Sequence, residues 1–277
     1  MGEHDRRLRV LILDDGRQCL PFMRALKRAG HHVTVACGSR LSTGYFSRYA
    51  DRRLRWPDYF KDPDGFAAIL LAYVRRHRPD ATLALGDVSA RIVAMEKPEL
   101  TRWTGVAVPD REIWDQAADK AKTMRYCMDH GIPCPQTYFP GNDDLEAFAR
   151  QVTFPVMMKP CRGIGAIGLH RADTADDLLR CYGELRNRHG DLIVQEFIPI
   201  EGGTQYQAEA FLDSDSRMKV CMVIAKPRFF PVTGGTSCAN VTIHRPDIQE
   251  SVRRLLEGIR WTGAADVDLI LDPRDGV

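Results

Sequence analysis

The segment MMKPCRGIGAIGLHRA places Gly163, Gly165 and Gly168 at G-x-G-x-x-G spacing just behind Lys159. Glycines let backbone N–H groups close on anionic oxygens with no Cβ in the way, and a lysine ammonium adds a point charge. Phosphate cradling is the chemistry such a segment suits. In a dinucleotide site a helix opens inside the motif, so that its N-terminus meets the pyrophosphate. Here LHRADT stands between Gly168 and the first helical turn and reads as a short returning strand. The loop then joins two strands and folds over phosphates as a flap. A plain hairpin with an exposed lysine fits the motif equally well.

Near the end of the chain, GAADVDLILD alternates, with Ala265, Val267, Leu269 and Leu271 on one face of a strand and Asp266 and Asp268 on the other. The two Cα atoms fall roughly 7 Å apart, close enough to serve one cation and too far to share a proton. Before it, AKPRFFPVTGGTSCANVTIHRP gathers Lys226, Arg228 and His244 in a strand-and-loop region. No Ser/His or Cys/His nucleophile pattern is present. The eight cysteines form no C-x-x-C and no Cys/His ligand spacing, so reduced thiols are expected.

These groups must be held by secondary structure. RVLILD reads as a buried strand, a helix with Leu20, Met23 and Leu26 at helical spacing follows over 19–29, and a second strand covers 31–36. That β-α-β unit builds a parallel sheet. A helix over 64–78 and a strand over 81–85 repeat it, so residues 1–113 are expected to make a small doubly wound α/β domain. A helix over 117–129 stops at Gly131, with Pro133 and Pro135 beyond it. The strands TYFP and PVMMKP, the Gly loop and a helix over 174–188 form an α+β unit of about 80 residues. From 191 onward DLIVQEFI, QYQAEAFLD and MKVCMVIAK predict an antiparallel sheet, closed by a helix over 248–260 and a strand over 264–271.

Composition bounds the function classes. The 277 residues are 44% hydrophobic and 27% charged, enough to bury a core without disulfides or metal. A net charge of +2 argues against nonspecific nucleic-acid binding. The longest apolar run covers nine residues, 66–74, and MGEHDRRLRV lacks an apolar core, so neither a membrane span nor a secretory signal is read and a cytoplasmic location is expected.

Taken in order, Lys120 within ADKAKTMRYCMDHGIPCP, then VMMKPCRGIGAIG, then IVQEFI resemble the motifs of the ATP-grasp ligases, and the resemblance covers the whole chain. It implies that residues 1–113 form the pre-ATP-grasp domain that also precedes the nucleotide lobes in biotin carboxylase and the carbamoyl-phosphate synthetase large chain. Residues 114–190 and 191–277 would be the small lobe and an incomplete large lobe of an α+β two-lobed ATP-grasp clamp. The implied cofactors are ATP and Mg²⁺. Lys120 and Lys159 match lysines that contact ATP phosphates, beneath the loop of Gly163, Gly165 and Gly168. The strand bearing Gln195 would end in a hinge, where backbone groups near Glu196 and Ile198 meet the adenine edge and Phe197 supports the strand. Gln205 stands where many relatives carry a ribose-binding acid, and Glu201 is the alternative. Asp268 matches a Mg²⁺ ligand. Arg228 lies on the implied acceptor side, where its planar fork suits a carboxylate or acyl phosphate.

The reaction this implies is ATP-dependent activation of a small-molecule carboxylate as an acyl phosphate, followed by attack of an amine or similar nucleophile. The alternative is a noncatalytic adenine-nucleotide-binding module. A dehydrogenase is the weaker third reading, because DDGRQC holds a single glycine. A homodimer is left open. The family's Glu-x-Asn-Pro element, which supplies further Mg²⁺ ligands, is not in this sequence. The expectation is therefore a C-terminally truncated ligase, inactive as given.

Overall fold

The computed structural model describes residues 6–139, 144–163, 167–199, 205–230 and 236–274. It divides into two compact units, Met1–Trp114 and Asp115–Val277. All eight cysteines are free. Among the described residues no helix is long and apolar enough to cross a membrane.

In the first unit, strands β1 (Arg9–Ile12), β2 (His32–Cys37), β3 (Arg52–Arg55), β4 (Ala81–Leu83) and β5 (Gly105–Val106) form a parallel sheet in the order β3-β2-β1-β4-β5. Helices α1 (Cys19–Arg28), α2 (Thr43–Phe46), α3 (Pro63–His77) and α4 (Asp87–Leu100) connect them, and α5 (Arg111–Ala117) follows. After exposed Arg9 the run VLIL, residues 10–13, is apolar throughout because both faces of β1 are covered, as parallel sheets require. Val10 and Ile12 pack with Met23 of α1, whereas Leu11 and Leu13 pack with Phe66, Leu70 and Val93 of α3 and α4. Asp62 caps α3 by accepting from the Gly65 N–H at 2.9 Å, with Pro63 at the first helical position.

The chain leaves β1 at Asp14, which is fully buried. Its carboxylate accepts from the Leu85 N–H at 2.6 Å, the Ser89 hydroxyl at 2.8 Å and the Tyr59 hydroxyl at 2.9 Å. Three donors satisfy the charge and lock the end of β1 to the turn between β4 and α4.

The second unit holds two antiparallel sheets. Helix α6 (Lys120–Asp129), β6 (Thr137–Tyr138), α7 (Leu145–Gln151), β7 (Val156–Pro160), β8 (His170–Ala172), α8 (Ala175–His189) and β9 (Leu192–Glu196) build the first, in the order β6-β9-β7-β8. Val156 and Met158 of β7 and Leu192 and Val194 of β9 face Leu178 and Tyr182 of α8. Thr174 caps α8 by accepting from the Asp177 N–H. Then β10 (Gln205–Leu212), β11 (Met218–Phe230), β12 (Thr236–Ile243), helix α9 (Pro246–Gly258) and β13 (Gly263–Ile270) build the second sheet, ordered β12-β11-β10-β13.

Two expectations change. DLIVQEFI does not join the later strands: β9 inserts between β6 and β7, where Leu192 and Val194 complete the α8-facing core. The strand-and-loop region is more strand than loop: TSCANVTI forms β12, hydrogen-bonded along β11, which runs on to Phe230.

Candidate functional site

Lys159 lies on the face of β7 turned away from the α8 core, as its alternation with buried Met158 and Pro160 requires. Its ammonium donates to Gln195 Oε1 at 2.8 Å. Gln195 pairs in register with Met157, so its side chain is a diagonal neighbour of Lys159 on the same face. Gln195 Nε2 donates to Thr137 Oγ1 at 3.0 Å, and that hydroxyl donates to the Pro135 carbonyl at 2.7 Å. Gln195 and Thr137 are only 4% and 5% exposed. The chain of bonds fixes Lys159 through a buried amide engaged at both its oxygen and its nitrogen.

A second ammonium stands close by. Asp119 caps α6 by accepting from the Ala121 N–H, which sets Lys120 at the helix start. The Lys120 N–H donates to the Cys161 carbonyl at 2.8 Å and its Nζ to the Gly163 carbonyl at 3.1 Å, strapping α6 to the exit of β7. Burial, then the charge of Lys120, lowers the pKa of Lys159. Among the described residues neither lysine ion-pairs with a carboxylate. Two crowded cations without an anion make a site prepared for one.

Of the three loop glycines, Gly165 lies outside the described residues. Gly163 follows the Lys120 contact. Gly168 adopts φ +76°, and a Cβ there would stand 2.7 Å from Pro160 Cγ, so backbone sign and close approach both demand glycine.

The hinge residues lie where β9 meets β6 and β7. The Gln195 side chain turns into the sheet, drawn by Lys159 and Thr137. The Glu196 N–H is taken by the Gln136 carbonyl at 3.0 Å and the Phe197 N–H by the Pro155 carbonyl at 3.1 Å, so neither donor is open to an adenine edge. Glu196 also accepts from the Gln136 N–H at 2.8 Å and pairs with Arg274 at 2.9 Å. Arg171 stacks its guanidinium over the Phe197 ring, 4.9 Å from the centroid. Ile198 follows, half-buried and outside any strand. Glu201 lies outside the described residues, and Gln205 opens β10 opposite Ile270.

On the second sheet, Asp268 faces Gln207 across the β10–β13 pair and Asp266 faces Glu209. Asp268 pairs with Lys226 Nζ at 2.5 Å, and Asp266 accepts from Gln207 Nε2 at 2.7 Å. Acidic groups directly opposite one another repel. Asp266 retains solvent access, yet desolvation by its crowded surroundings, then Asp268, push its pKa up to about 6, with Glu209 adding to the rise. Asp268 thus takes the Lys226 ammonium while Asp266 and Glu209 crowd beside it, and oxygen donors in excess of cations are the donor set Mg²⁺ takes. Arg228 is exposed on β11 between two register shifts, opposite Ala239. Sequence reasoning missed Thr137, Gln207 and Glu209. Aligning QYQAEAF antiparallel to GAADVDLI would have exposed the acidic pair, but register is not written in either strand alone.

A cavity of about 180 Å³ in the first unit, lined by Arg9, His32, Arg52 and His77 among others, sits at the N-terminal ends of β1 and β2. Ligands of such sheets bind at the carboxyl ends, opposite this cavity.

No protein-family model matches the chain. It is similar to the D-aspartate ligase of Enterococcus faecium, with 25% identity over 243 residues, covering 79% of this chain and 57% of that protein. The biotin carboxylase domain of Hydrogenobacter thermophilus 2-oxoglutarate carboxylase, solved with MgADP, ADP and bicarbonate, superposes with a TM-score of 0.75 at 16% identity over 97% of this chain and 62% of that one. The L-amino acid ligase of Bacillus licheniformis superposes with a TM-score of 0.68 at 17% identity over 97% and 65%. The chain thus spans somewhat more than half the length of these proteins. A doubly wound unit followed by two antiparallel sheets, with these neighbours, defines the ATP-grasp fold. This chain has the ATP-grasp fold.

Proposed function

We propose that the chain is an ATP- and Mg²⁺-dependent carboxylate–amine ligase, a reading carried above all by the uncompensated pair Lys120 and Lys159. The ligase relatives support it, and they do not favour a noncatalytic nucleotide module. Lys159, held by Gln195, and Lys120, held at the α6 start, bind the polyphosphate from separate segments and hold it in line, so positioning and charge stabilisation supply the catalysis. Gly163, Gly165 and Gly168 let the loop close over the phosphates. Ile198 contributes backbone to the adenine side, Phe197 and Glu196 brace that strand, and Gln205 or Glu201 meets the ribose. Asp268 and Asp266, with Glu209 opposite, would hold Mg²⁺, which when bound neutralises phosphate charge and polarises the transferred group. Arg228 orients the carboxylate that becomes the acyl phosphate, and an amine then displaces phosphate. No side-chain nucleophile is needed.

The test is a panel of carboxylate and amine pairs, D-aspartate among them, incubated with the chain, ATP and Mg²⁺ while ADP and phosphate are measured. Release that requires both organic partners supports the ligase. Nucleotide binding without release from any pair returns the reading to a binding module, and no adenine-nucleotide binding removes both.

A further inference from the structure

A second cluster of ligating side chains lies apart from the lysines and the carboxylates. His170 on β8 brings its Nε2 to 3.9 Å from Asp177 Oδ2, and the Cys181 thiol donates to Asp177 Oδ1 at 3.4 Å. One ligand atom from each of the three lies within 4.8 Å of the others. Asp177 and Cys181 are four residues apart on α8 and therefore share one helical face. Independently, the His170 Nε2 is closed off from solvent and has no hydrogen-bond partner among the described residues. A buried ring nitrogen left unpaired calls for an explanation.

We propose that His170, Asp177 and Cys181 form a binding site for a single thiophilic divalent cation of the zinc class, which would tie β8 to α8. Thiolate and imidazole select zinc over magnesium, and the carboxylate and thiolate together neutralise its charge. Zinc bonds of about 2.1 Å to oxygen and 2.3 Å to sulfur bring two ligand atoms to roughly 3.5 Å, close to the observed sulfur-to-oxygen separation. Three protein ligands leave the fourth position to water. Cys181 gives up its thiol proton to solvent on binding, so affinity rises with pH. The competitor is Arg180, whose guanidinium holds Asp177 Oδ1. Arg180 is 75% exposed, and an exposed pair of this kind gives way at little cost.

The experiment titrates the full chain with Co²⁺ under reducing conditions and follows thiolate-to-cobalt charge-transfer absorption, then displaces cobalt with Zn²⁺. One equivalent is expected to develop the band. Cys181→Ala removes it. Asp177→Asn, which keeps the helix face packed, weakens Zn²⁺ beyond the roughly 10–100-fold that losing an outer partner costs. Arg180→Ala strengthens binding by freeing Asp177. Absence of the band in the parent chain, or its persistence in Cys181→Ala, overturns the proposal. An Asp177→Asn protein binding zinc as tightly as the parent does so too.

Discussion

Lys159→Met isolates the charge on which the nucleotide site depends. Methionine keeps an unbranched stem and removes only the ammonium. A phosphate charge about 4 Å from that ammonium, at an effective dielectric of about 20, is worth about 4 kcal/mol. The bond Lys159 already makes to Gln195 and the hydration phosphate gives up offset roughly half of this. The expected loss is therefore about 2 kcal/mol, or roughly 30-fold in ADP affinity. Differential scanning at ADP about 100 times the parent Kd reads it directly. There the parent gains about 2.7 kcal/mol, and a 30-fold weaker variant gains about 0.9 kcal/mol. For a unit of this size the shift falls from about 5–11 °C to about 2–4 °C. The ligand-free variant should melt close to the parent, because an ammonium penalised by burial and by Lys120 is removed as Gln195 loses a partner. Arg228→Ala, on the other sheet, leaves the ADP shift intact. A full shift in Lys159→Met, or an equal loss in Arg228→Ala, refutes the separation of nucleotide and acceptor sites.

Gln195→Leu keeps most of the bulk and strips both partners from Lys159 and Thr137; unfolding in urea is expected to show a loss of about 2–4 kcal/mol, and an unchanged midpoint would remove the network. Asp14→Ala leaves the Leu85 N–H and the Ser89 and Tyr59 hydroxyls without their acceptor. The first unit should lose about 3–5 kcal/mol, and a loss below about 1 kcal/mol contradicts the locking role. Asp266 has a folded pKa of about 6 against an ordinary 3.8, so the native state binds more proton across that interval and stability falls as pH rises through it. Asp266→Asn should flatten that slope and Mg²⁺ should weaken it; parallel melting profiles with and without the substitution contradict the assignment.

The parallel sheet was legible because β1 and β2 are mostly apolar, interrupted in β2 by Thr34, with an amphipathic helix between them. By contrast β3, RRLR, carries one apolar residue in four and pairs along the edge of the sheet, where backbone bonding rather than burial makes the strand. The partner of β9 was not legible, since LIV suits any buried strand and the choice of β7 depends on what α8 leaves uncovered. Lys159 and the glycine spacing stood out as chemistry. Gln195 stood out only as a polar residue in an apolar strand; its role depends on a diagonal neighbour from β7 and a hydroxyl from β6. Glu209 was invisible for the same reason, because a repulsive cross-strand pair exists only once register is known.

The electrostatics of the second unit gain sense when the two sheets are compared. On one, two ammonium groups have no acidic partner among the described residues; on the other, Asp268 takes Lys226 while Asp266 and Glu209 crowd beside it. Each mismatch costs stability, and under the proposed function each would be relieved by one half of a metal–polyphosphate, the phosphates at the lysines and the metal at the carboxylates. Gln195 is the residue that keeps the first mismatch open. It fixes the Lys159 ammonium by an amide oxygen and leaves the positive charge uncancelled. A glutamate of nearly the same shape would cancel it. In Gln195→Glu the Thr137 hydroxyl would turn its proton from the Pro135 carbonyl to the new carboxylate, and Lys159 would be ion-paired inside the sheet. The ligand-free protein should then hold its stability better than Gln195→Leu while losing more of the ADP-induced shift, because phosphate must displace or repel a resident anion. Calorimetric titration of ADP into both variants decides it. Binding by Gln195→Glu as tight as by the parent would mean that the Lys159 charge is not what the nucleotide site uses.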